Sequence, residues 1–264
     1  MAYSYSYTKW LFRIICFYLI FACSISAVAS NGSNAHRQKV VVIVANRLTL
    51  SDIKSPYLAN LRKLAESGAM GVISPNCLGE KLEKSVILTA ASGNPGQADE
   101  WMNNIALYGE ISKSRMPAQL DYNLRTGKKL SPEQGAFLGI AKAIETNSKN
   151  GLVYQTGLIG DSCKEKGRKV SAVISPIEHI DGYETDRSSA VLAADNYGRI
   201  SRLCYYPKNA FEECCGLLIK PELMLDKIQD ILQTSDLVIA DYTDISRLDT
   251  LKADISDSVY NKLR

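Results

Sequence analysis

The residues best placed to do chemistry stand at the ends of two apolar runs. Asp241 closes the run Asp236-Leu-Val-Ile-Ala-Asp241, and Asp244 and Asp249 follow it closely. Asn46-Arg47 closes the run Lys39-Val-Val-Val-Ile-Val-Ala45. Open α/β sheets bind ligands beyond the carboxyl ends of their strands, so both places are candidate site positions. The plainer reading is a loop Asn that turns the chain and carboxylates solvated in a loop. Histidine is scarce: His36 lies in a polar stretch and His179 in Pro176-Ile-Glu-His-Ile-Asp-Gly182. Neither flanks a cysteine pair and no CxxC occurs, so zinc has little support. In an oxidising compartment Cys204 could bridge to Cys214 or Cys215, while Cys77 and Cys163 read as small buried or free thiols.

The elements that must position these residues alternate between strands and helices. Lys39–Ala45 is continuous and β-branched, which predicts a strand buried on both faces, as in parallel sheets. Leu58, Leu61, Leu64 and Ala65 then recur at helical spacing after Pro56, and Gly68 ends that helix. Met70–Ser74 reads as a second short strand, and Ser85–Ser92 as a short helix ended by Gly93 and Pro95. Pro132–Ser148 reads as one helix, with Phe137, Ile140, Ala141 and Ile144 on one face. Gly157–Gly167 gives a loop and helix feeding the strand Lys169–Ser175. Ser189–Asp195 reads as a strand before a turn at Asn196-Tyr197-Gly198. Pro221–Thr234 is an amphipathic helix with Leu223, Leu225, Ile228 and Ile231-Leu232 inward, and it delivers the strand ending at Asp241. Thr243–Asp254 reads as a loop, and a final helix begins near Ser256. This alternation predicts an α/β fold: a mostly parallel sheet with helices on both faces.

The beginning of the chain is different. Lys9 and Arg13 precede Ile14–Ala29, a run with no charge that ends in Ala27-Val28-Ala29. That pattern predicts a signal peptide over residues 1–29, cut after Ala29, with an uncut membrane anchor as the alternative. Residues 30–38 read as a polar tether and 39–264 as the folded domain. The expected location is therefore extracytoplasmic, either secreted or attached to the cell membrane. A net charge of +3 without a basic cluster argues against nucleic acid as a partner.

Val40 to Ala45, then Pro56-Tyr57-Leu-Ala-Asn60-Leu61 and Leu64-Ala65-Glu66-Ser67-Gly68-Ala69, resembles the opening of the alkaline phosphatase superfamily. More closely, the chain is similar to uncharacterised bacterial exported proteins of that superfamily. The matching segments are Gly68–Ser74, Leu88–Gly93, Gly157-Leu-Ile-Gly160 with Gly167–Val173, and Asp236–Asp249. They run in collinear order from Lys39 to Arg264. No one of them is specific; their order carries the resemblance.

The resemblance implies two divalent cations held by Asp and His, and a Ser or Thr that attacks phosphate in line at a helix N-terminus. It puts Asn46 where that superfamily has a metal-binding Asp, and Asp244, with Asp241 close by, at a second ligand position. It puts Glu83 near the nucleophile position, so Ser85 or Thr89 would have to serve. Read plainly, Ser85 is a helix N-cap and Thr89 packs in the helix. Arg247-Leu248 stands where a His is expected, and the later Asp-His part has no counterpart. The expected fold is thus alkaline-phosphatase-like but incomplete. The expected protein is a non-catalytic or degenerate exported domain. The rivals are a metal-dependent hydrolase or transferase of phosphate or sulfate esters, and an envelope anion-binding scaffold. Zinc, manganese or magnesium is expected only if the site works.

Overall fold

Short β-branched runs supply the centre of the molecule. The computed structural model describes residues 38–263 other than 75, 81, 150–153, 177, 178, 181, 182, 185, 211–217, 251 and 253–255. Its strands are β1 (Val40–Ala45), β2 (Ile105–Leu107), β3 (Gly135–Phe137), β4 (Val170–Ile174), β5 (His179–Ile180), β6 (Tyr183–Glu184), β7 (Arg199–Ile200), β8 (Arg202–Tyr205) and β9 (Leu237–Tyr242). Its α-helices are α1 (Leu50–Lys54), α2 (Ala59–Ser67), α3 (Leu82–Ser92), α4 (Ala118–Thr126), α5 (Ile140–Ser148), α6 (Leu158–Glu165), α7 (Pro221–Thr234), α8 (Asp244–Thr250) and α9 (Asp257–Leu263).

The main sheet has the order β1-β9-β4-β8, and all three pairings are parallel. β2, β3 and β7 form an antiparallel sheet beside it, and β5 pairs with β6. The fold is therefore α/β with a mostly parallel main sheet, as the alternation of elements predicts.

Strand alternation divides the core between the two faces of the sheet. Ala172, Ile174 and Ile239 face one cluster, which Leu88 and Ala91 of α3 and Ala143 of α5 complete. Val173, Val238 and Ala240 face the other, against Ile228 and Ile231 of α7. Pro221 opens α7 at its first turn, where a missing N–H costs nothing. Helices therefore cover both faces, and β4 and β9 are the strands buried on both sides.

Several sequence expectations need correction. β1 is not buried on both faces: among the described residues it pairs only with β9, and Val40, Val41, Val42 and Ile43 are all exposed. Helix α2 buries none of its residues. Met70–Ser74 forms no strand, and Val72 and Ile73 are 90% and 85% exposed. Pro132–Ser148 is not one helix. Gly135 and Gly139 interrupt it, so β3 forms first and α5 starts only at Ile140. Ser188–Ala193 is a 3-10 helix rather than a strand. All six of its residues are buried, and a helical turn satisfies its own backbone without a neighbouring strand. Leu225 of α7 points outward at 54% exposure. The expected loop after Thr243 is helix α8, and β8 was not legible because Arg202 and Tyr205 dilute its apolar character.

Candidate functional site

The carboxyl ends of the parallel strands bring together Asn46-Arg47 after β1, Ser175 after β4 and Asp241–Asp244 at β9. Arg47 takes a left-handed backbone conformation, φ 64°, that turns the chain sharply away from β1. Its Nε donates to Glu83 Oε1 at 2.8 Å, and its Nη1 lies 3.8 Å from Asp249 Oδ2. Glu83 belongs to the first turn of α3, where the helix N-terminus also favours a negative charge. The guanidinium thus ties the turn after β1 to the start of α3 and to α8.

The strand-end aspartates are buried, not solvated. Asp241 is 2% exposed and its Oδ2 has no hydrogen-bond partner among the described residues. Burial, and then the neighbouring Asp186, raise its carboxyl well above the ordinary range; Ser189, Arg247 and the Ser175 backbone oppose this. Asp244 is spoken for. Its Oδ2 accepts from the Ile219 N–H at 2.9 Å, and its Oδ1 accepts from Arg247 Nη2 at 3.1 Å. Arg247 Nη2 also donates to Thr243 Oγ1 at 2.9 Å, and the Ser175 and Thr243 hydroxyls are 3.0 Å apart. This buried network joins the ends of β4 and β9. Tyr242 beside it is pushed up to about 12, by burial and then by the charge of Asp244.

These residues do not fit a divalent cation. Asp241 faces Ser189, whereas the two oxygens of Asp244 are taken by the Ile219 N–H and Arg247 Nη2. Asn46 lies in the turn after β1 and offers no charge. Among the described residues no group of three His, Cys, Asp or Glu is arranged to hold a metal. His179 starts β5.

The hydroxyl candidates also have other partners. Ser85 is fully buried, and its Oγ accepts from the Ala98 N–H at 3.0 Å. It is the fourth residue of α3, so it is not the expected N-cap. Thr89 Oγ1 accepts from the Gly96 N–H at 3.0 Å. Both pin the loop after α3 to the helix. Cys204 carries a free, partly buried thiol on β8; Cys214 and Cys215 lie outside the described residues.

Sequence reasoning missed Arg187. It is 2% exposed, and its Nη1 donates to Ile105 O at 2.9 Å and lies 3.2 Å from Glu110 Oε1. Its guanidinium stacks 4.7 Å from the Tyr205 ring centroid, and its Nε and Nη2 have no hydrogen-bond partner among the described residues. No periodicity marks it, because it enters the core from a polar turn. Comparison of the chain with protein-family models, with curated proteins and with solved structures finds no match to any of them.

Proposed function

We propose that this chain is an exported, non-catalytic domain on an alkaline-phosphatase-like α/β scaffold, in which a guanidinium stands where a catalytic cation would be held. The observation that carries this reading is Arg47 between Glu83 and Asp249. By the resemblance, the turn after β1 and the first turn of α3 are the places of a metal ligand and a nucleophile. Here they are joined by a side chain. A guanidinium supplies positive charge and N–H donors, but it has no open coordination position to polarise an oxygen or activate water. Asn46 adds no charge to attract a metal, and Ser85 and Thr89 hold backbone amides instead of facing a substrate. Export rests on the uncharged Ile14–Ala29 run and its Ala27-Val28-Ala29 ending.

A second reading, an anion-binding scaffold, is favoured by Arg187. Its Nε and Nη2 form the edge that grips carboxylate or phosphate bidentately; both are buried and have no hydrogen-bond partner among the described residues.

The test is hydrolysis of nitrophenyl phosphate, the matching sulfate and a phosphodiester, with zinc, manganese or magnesium added. No turnover above buffer is expected. Metal-dependent turnover that disappears in Asp241→Asn would overturn the proposal.

A further inference from the structure

Gly157-Leu-Ile-Gly160 builds a feature away from the strand ends. A Cβ at Gly157 would meet the Asp195 carbonyl carbon at 2.3 Å, and one at Gly160 would meet Ala194 O at 2.3 Å. Only glycine lets the start of α6 lie directly on the backbone of 194–196. The Asn196 N–H then donates to Asp161 Oδ2 at 3.1 Å and fixes the pair.

This contact forms one wall of a cleft of about 780 Å³, within the range of small-molecule sites. Leu158, Asp161, Ser162 and Glu165 line it at helical spacing, so one stripe of α6 faces it. Tyr197 also lines it and is 44% exposed. Lys128 Nζ sits 4.9 Å from the Tyr197 ring centroid, on one of the ring's two faces. Ser92, Asn94, Gln155 and Asn196 also line it.

The chemistry of the lining selects a ligand class. Asn and Gln amides offer a donor and an acceptor in one plane and the carboxylates add acceptors, which suits neighbouring hydroxyls that both donate and accept. Tyr197 and Leu158 offer apolar surface for C–H faces. Asp161 and Glu165 of the lining are balanced by Lys164 and by Lys128 on the Tyr197 ring, and Asp195 stands behind Asp161 and, after burial, raises its carboxyl. That balance leaves no net positive charge to hold a phosphate or sulfate group. We propose that the cleft between α6 and the 194–197 turn is a binding site for a neutral saccharide.

The experiment is saturation-transfer NMR with calorimetry on the mature full chain. The probes are neutral hexose and N-acetylhexosamine di- and trisaccharides, with a hexose phosphate as comparison. Saturable binding of a neutral oligosaccharide is expected, up to about ten-fold weaker in Tyr197→Ala. The turn holding Tyr197 uses its backbone N–H, donated to Asp195 Oδ1 at 3.0 Å, so this variant keeps the fold. Glu165→Gln and Asn94→Ala should weaken binding too. The proposal is overturned if none of the neutral saccharides binds saturably, if all three variants bind unchanged, or if the hexose phosphate binds more tightly.

Discussion

Asp241 is the residue at which burial and charge conflict most openly. Its carboxyl is raised in the folded protein, while an unfolded chain keeps the ordinary value of about 3.9. Above that value the folded state still holds a proton that the unfolded state has lost. Stability therefore falls as pH rises from about 4 and levels off only above the raised folded value. Asp241→Asn removes the charge and keeps the shape. Its urea midpoint should exceed that of the unsubstituted chain at about pH 8, with the gap closing toward about pH 4. A gap independent of pH would contradict this account. Asp244 is instead paired, with Arg247 and the Ile219 N–H. Asp244→Ala would leave Arg247 buried without its carboxylate and the Ile219 N–H without an acceptor. A cost of about 3–5 kcal/mol is expected in denaturant unfolding. At this scale the sequence exposed Asp241 and Asp244 as strand-end residues, but not their burial. Nothing local distinguishes a solvated loop carboxylate from one covered by α8 and the 3-10 helix.

Among the elements, the strongest periodic runs were the legible ones. The strands at Lys169–Ser175 and Asp236–Asp241 and the helix Pro221–Thr234 fall where sequence puts them, because a buried parallel strand or a one-sided helix imprints its environment on composition. The 3-10 helix Ser188–Ala193 was illegible for the same reason: a fully buried segment has no periodicity to separate helix from strand. The Gly157–Gly160 pair was visible, but its purpose was not, since the partner backbone at 194–196 comes from a distant part of the chain. Gly160→Ala forces a methyl group against the Ala194 carbonyl. It should destabilise the protein by about 2–3 kcal/mol and open the α6 wall of the cleft. A variant with unchanged unfolding midpoint would show that α6 does not dock this closely.

For the molecule as a whole, the main consequence of the sheet order is an apolar strand at the edge. β1 exposes Val40, Val41, Val42 and Ile43, and Leu64 of α2 and Met70, Val72 and Ile73 after it are exposed as well. The expectation of a fully buried β1 failed because residue type was read as burial, and sheet order is not written in a single strand. Long apolar edges invite association. Ile43→Lys should raise the concentration at which the protein stays monomeric in light scattering, while its melting temperature moves by no more than a few degrees. A large loss of stability would mean that Ile43 is covered.

The central claim is that Arg47 takes the place of a cation between the turn after β1 and helix α3. It is tested most directly by the metal content of the purified chain, dialysed against zinc, manganese and magnesium and then against metal-free buffer. The expected result is well below one ion per chain, with no change in the Asp241→Asn variant. A stoichiometric ion that is lost in Asp241→Asn would contradict the claim and return the strand ends to metal chemistry.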